Sequence, residues 1–104
     1  MTKIDSTLDE RGKKYGEFKD HAALSQQFKL AMQSAGQHWY RLDDDMREAL
    51  EMIQHKIARI INGDPTHIDS WHDIQGYARL IEHRLIREKE DRKADTMPLD
   101  IDLE

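Results

Sequence analysis

Acidic side chains spaced to share one helical strip are the first candidates for chemistry in this sequence. In the stretch "NGDPTHIDSWHDIQGYARLI" (62–81), Asp69 and Asp73 stand four residues apart, and Gly76 and Leu80 continue the same strip. A helix that only packs would make such a strip purely polar. Here a glycine, a leucine and the flanking Tyr77 predict that it is covered. Gly76 costs about 1 kcal/mol of helix stability against alanine, so its presence predicts close approach of another backbone or of a ligand. Sheltered carboxylates need partners. Lys56 and Arg59 on the preceding helix would form ion pairs across a hairpin. Glu48 and Glu51, a Glu-x-x-Glu pair one turn apart, offer a different outcome. Carboxylates from Glu48, Glu51, Asp69 and Asp73 converging from two helices would hold magnesium, a hard cation that takes oxygen ligands and bridges phosphates.

The elements that must position these residues are helices. "DDDMREALEMIQHKIARIING" has acids in its first turn, Lys56 and Arg59 late, and Asn62-Gly63 as a stop. Its apolar stripe is Met46, Leu50, Ile53, Ile57 and Ile60, and Glu48 and Glu51 lie nearly opposite it. Asp64 and Pro65 then read as the cap and first position of a long helix running to about Arg92. Trp71, Ile74, Ala78, Ile81 and Leu85 mark its buried face. Upstream, "DHAALSQQFKLAMQSAG" predicts a helix capped by Asp20 and ended by Gly36. The connector "QHWYRL" brings Trp39, Tyr40 and Leu42 to one end of the core. Residues 1–19 read as an irregular segment because Gly12 and Gly16 interrupt them, 20–93 as the bundle domain, and 94–104 as an acidic flexible tail. The fold class is all-α: a small helical bundle on a central antiparallel hairpin, completed by oligomerisation.

A chain of 104 residues, 36% of them charged, supports one domain with a small core, and such domains often pair with a second copy. The absence of cysteine excludes disulfides and thiolate metal sites and points to a reducing, cytoplasmic setting. No apolar run approaches the length of a membrane span, and no signal peptide is evident. A net charge of −5 argues against general nucleic-acid binding, but not against a nucleotide site in which cations reverse the local sign. The six histidines show no metal spacing, and Asp43, Asp44 and Asp45 read as acids drawn to a helix start.

"REALEMIQHKIARIINGDPTHIDSWHDIQGYARLI", with "RGKKYGEF" upstream, resembles the central hairpin and Tyr-Gly element of small phage and prophage proteins. These are related to the MazG-like all-α nucleoside triphosphate pyrophosphohydrolases and to nucleotide-modification-associated helical domains. The resemblance spans about Glu10 to Leu85. It implies an oligomeric, magnesium-dependent protein that binds or hydrolyses nucleoside triphosphates. Carried over by position, Glu48 and Glu51 match the family's first acidic element. Asp69 and Asp73 stand for its second, with Asp-x-x-x-Asp in place of Glu-x-x-Asp. In that reading Glu51 is the base, Lys56 and Arg59 grip phosphate oxygens, and Tyr77 or Trp71 stacks on the nucleobase. The competing function is a phage-type inhibitor that binds a protein target without catalysis. It would dock or self-associate through Glu48, Glu51, His55 and Arg59, with the tail 97–104 as an acidic recognition segment.

Overall fold

The computed structural model describes residues 2–96 and contains five helices and no strand among them. They are α1 (Lys3–Tyr15), α2 (Phe18–Gln33), α3 (Gln37–Tyr40), α4 (Asp44–Asn62) and α5 (Ile68–Thr96). The all-α class and the hairpin of α4 and α5 are as the sequence predicts. Residues 97–104, where the recognition tail was expected, lie outside the described residues.

The first segment is the clearest correction. Lys3–Tyr15 is a helix rather than irregular chain. Thr2 and Asp5 form a capping box in which the Thr2 side chain accepts from the Asp5 amide and the Asp5 carboxylate accepts from the Thr2 amide. Gly12 sits inside the helix at its modest propensity cost, and Gly16 ends it. Other boundaries also shift. Glu17, not Asp20, precedes the first turn of α2. Asp64 does not cap α5: its Oδ1 accepts from the amide and hydroxyl of Thr66, closing a turn before the helix begins at Ile68. α5 runs past Arg92 to Thr96.

α4 is flanked by α2 on one side and α5 on the other, so its covered positions are Ala49, Gln54 and Ala58. Of the larger apolar stripe predicted as core, Met46, Ile53 and Ile60 are half-buried, whereas Leu50 and Ile57 are exposed. α5 turns its Ser70, Ile74, Tyr77, Ile81 and Arg84 side toward α4, leaving Trp71, Ala78 and Leu85 in solvent. Trp39 closes one end of the core as expected, with Leu42 half-buried, whereas Tyr40 is exposed. At the open end of the hairpin, Arg84 bridges the helices, contacting both oxygens of Asp45, Asp43 at 2.9 Å and Glu88 at 2.8 Å. The acids at 43–45 thus serve as ion-pair partners: Asp44 engages Arg47, while Asp43 and Asp45 engage Arg84. Arg84 also holds the Asp45 carboxyl below its ordinary pKa.

The N-terminal helix is tied down by a backbone crossing. Asn62 Nδ2 donates to the carbonyls of Tyr15 and Glu17, both at 3.0 Å, and the Asp64 amide donates to the Lys14 carbonyl at 2.7 Å. Gly16 has φ +79°, and a Cβ there would lie 2.2 Å from the Asn62 carbonyl oxygen. A Cβ at Gly63 would lie 2.2 Å from the Lys14 carbonyl oxygen. Two glycines from distant parts of the chain therefore permit the crossing.

Candidate functional site: the cleft between α1, α2 and α4

The acidic strip does not become a site within the chain. Asp73 pairs with Lys56 (3.0 Å), the cross-hairpin ion pair, and that ammonium lowers its pKa. Glu51 lies 4.0 Å from Lys29 of α2, and Asp69, largely exposed, lies 3.8 Å from His67. Glu48 is exposed on α4. Among the described residues no group of three or more histidines and acids is placed to hold a metal ion. Glu48, Glu51, Asp69 and Asp73 therefore do not fit a shared magnesium in one chain, because each of the last three already faces a base on a different side. Gly76 receives no close approach: a Cβ there would meet nothing within 4 Å. Leu80 is exposed, so the strip predicted to be covered is open. Tyr77 is half-buried and shares a shallow surface pocket with Asp73, Gly76 and Leu80, apart from the cleft that holds Arg59. Of the residues proposed to grip phosphate, Lys56 is committed to Asp73.

Arg59 is the exception. It lines a cavity of about 550 Å³ between α1, α2 and α4, together with Arg11, Tyr15, Phe18, His21 and His55 and with two acids, Asp9 and Glu17. Its guanidinium lies over the Tyr15 ring, 4.2 Å from the centroid. Half-buried, it has neither a carboxylate within ion-pair distance nor a hydrogen-bond acceptor among the described residues. Stacking uses the face of the guanidinium and leaves its in-plane N–H donors free, the geometry that takes planar oxyanions. Tyr15 is held from its other neighbours as well, with His67 edge-on at 5.6 Å.

Beside Arg59, His21 and His55 form a contact pair. Their Nε2 and Nδ1 atoms are 3.3 Å apart, with the rings edge-to-face at 4.5 Å. His21 is buried, and its Nδ1 has no hydrogen-bond partner. Burial first, and then the positive charge of Arg59, lowers the pKa of both; His55, also facing Lys56 and Lys29, falls to about 4. Both imidazoles are therefore neutral at pH 7. A half-buried cation without a carboxylate in ion-pair contact and a buried polar atom without a partner now share one cavity of ligand size.

The sequence reading contained the parts of this cleft but not their assembly. In the sequence Tyr15-Gly16 is an element upstream of the hairpin and Asn62-Gly63 a helix stop, and nothing local relates residues 47 positions apart. The surface imagined for docking, Glu48, Glu51, His55 and Arg59, is partly covered: α1 and α2 close over His55 and Arg59.

Fold and cleft together define a small all-α protein with a histidine-walled cavity lined by Arg11, Arg59, Asp9 and Glu17. Residues 2–85 match the domain of unknown function DUF6378, and the chain belongs to that family. The match includes α1 and every residue of the cleft. No curated protein and no solved structure matches the chain. Among the described residues no helix is long and apolar enough to cross a membrane.

Proposed function

We propose that the protein binds a small anionic ligand of the nucleotide class in the α1–α2–α4 cleft, with Arg59 as its principal anion contact. The observation that carries this reading is the Arg59 guanidinium, stacked on Tyr15 and facing a cavity, with no carboxylate within ion-pair distance although Asp9 and Glu17 also line that cavity. A cation in that state is costly unless an anion completes it. Arg11, also on the cleft, supplies a second charge, and Tyr15 and Phe18 supply rings against which a heterocycle can lie. The resemblance to MazG-like and nucleotide-modification-associated helical proteins favours a nucleotide among possible anions. It does so through the Tyr-Gly element and Arg59 rather than through the acids of α4 and α5. No step through magnesium follows, since Glu48, Glu51, Asp69 and Asp73 are dispersed.

The test is a panel of nucleoside mono-, di- and triphosphates at millimolar concentration, with and without magnesium, read as melting temperature and as pyrophosphate release. The expected result is stabilisation by at least one nucleotide without a magnesium requirement. Arg59→Ala should abolish it and Asp73→Asn should preserve it. Stabilisation lost in Asp73→Asn but kept in Arg59→Ala, or no stabilisation by any nucleotide, would overturn the proposal.

A further inference from the structure

A second, smaller space adjoins the cleft. Thr7, Glu10, Arg11 and Lys14 recur at helical spacing on α1, and with Tyr15 and Arg59 they line a recess of about 240 Å³. Arg11, Tyr15 and Arg59 also line the cleft, so the two spaces have these three residues in common. Their remaining walls differ in kind. The cleft balances Arg11 and Arg59 with two acids, Asp9 and Glu17, and rings make up much of the rest. The recess sets three cations, Arg11, Lys14 and Arg59, against one acid, Glu10, in a chain whose net charge is −5. None of the three has a carboxylate within ion-pair distance among the described residues. Cations gathered in one concavity of an acidic protein focus a positive potential there, and an anion relieves their repulsion.

We infer that the recess holds a phosphate chain of two or more groups, with the nucleoside to which it is joined lying in the larger cleft. The inference rests on the nucleotide reading above and divides that ligand between two compartments. Arg59 stands at their border, and its stacking on Tyr15 leaves the in-plane donors for phosphate oxygens. Arg11 adds a planar fork, and Lys14 a compact ammonium on a flexible stem. The Lys14 carbonyl accepts from the Asp64 amide at 2.7 Å, so the crossing that pins α1 also fixes this end of the recess. Asp9 and Glu17 oppose a phosphate chain inside the cleft, whereas they accept readily from nucleoside hydroxyl or amino groups. Three cations less one acid leave two positive charges in the recess, which suits a diphosphate or triphosphate better than a monophosphate.

Calorimetric titration of the full chain at low salt tests this, with inorganic tripolyphosphate, a nucleoside triphosphate and its monophosphate as probes. The triphosphate should bind about tenfold tighter than the monophosphate, and tripolyphosphate alone should bind and compete with it. Lys14→Gln should weaken both polyphosphate ligands about tenfold and the monophosphate by no more than about twofold. Lys13→Gln makes the same charge change one residue away, outside the recess, and should leave all three within about twofold. Both lysines are exposed, so neither variant should disturb the fold, which circular dichroism checks. Equal losses in the two variants, or a Lys14→Gln chain that binds all three probes like wild type, would overturn the inference. The nucleotide reading would survive either result, provided that nucleotides still bind through Arg59. Tripolyphosphate bound through Lys14, with no nucleotide bound by the wild type, would sink the nucleotide reading and keep the recess as a polyphosphate site. Failure of tripolyphosphate to bind at all would overturn the recess, whatever the nucleotides do.

Discussion

Toward α1 and α2, α4 covers Gln54, His55 and Arg59, and it meets there a buried serine and a buried histidine. On its other side it leaves Leu50, Ile57 and Ile61 in solvent. Ser25 Oγ donates to Gln54 Oε1 at 3.1 Å, yet Gln54 Nε2 and His21 Nδ1 stay unpartnered. The usual arrangement places apolar groups under cover and polar groups in water. On α4 the covered side is thus polar and part of the open side apolar. Under the proposed function, an anion with hydrogen-bonding capacity would complete the polar side.

The largest effect should come from breaking the crossing that builds the polar face. Gly16→Ala brings a Cβ against the Asn62 carbonyl at a positive φ, and should cost roughly 2–4 kcal/mol in denaturant unfolding. It should also release Tyr15 from Arg59 and abolish ligand binding. A cost below about 0.5 kcal/mol would mean that α1 is not held by the crossing.

Next in size is a pH effect confined to the same face. In the unfolded chain His55 titrates near its ordinary 6.5, and in the folded protein near 4. Between those values the unfolded state binds the extra proton, so stability is fully present above pH 6.5 and is lost as the pH falls toward 4. His21 shifts in the same direction. Denaturant midpoints should therefore fall across this window, less so in His55→Gln. An unchanged slope in that variant would remove His55 as a source. An anion at Arg59 would offset part of the charge that depresses both histidines, so ligand affinity should rise as the pH is lowered from 7 toward 5.

Smaller effects sharpen the contrast with the acidic strip. Gly76→Ala meets no atom within 4 Å and should stabilise the protein by about 1 kcal/mol, read as a higher denaturant midpoint. Destabilisation would indicate that something approaches Gly76 after all, such as a second copy. Asp73→Asn should do least, removing a partly exposed ion pair with Lys56 and leaving nucleotide binding intact in a calorimetric titration.

The contrast also explains what the sequence could disclose. Helix class, the α4–α5 hairpin and the Asn62-Gly63 stop follow from local patterns of caps and periodicity, which act within a few residues. The face that each helix buries does not, because α4 has two neighbours and one stripe cannot satisfy both. Small residues, Ala49 and Ala58, take the most covered positions where helices approach, while the bulky stripe is only half-buried at Met46, Ile53 and Ile60 and open at Leu50 and Ile57. Arg59 was legible as a phosphate-gripping residue, but its partners were misplaced. Tyr15 lies on α1, in a segment that two glycines made look irregular. The histidine pair joins positions 34 apart in sequence, and no periodicity reports it.

The most direct test is a nuclear magnetic resonance titration of the wild-type chain with a stabilising nucleotide at pH 7. The cleft account predicts that backbone signals of Gly16 and Asn62 and ring signals of Tyr15, His21 and His55 shift together, while those of Asp69, Asp73 and Gly76 stay in place. Shifts centred on Asp69, Asp73 and Gly76, with the cleft signals unmoved, would contradict it.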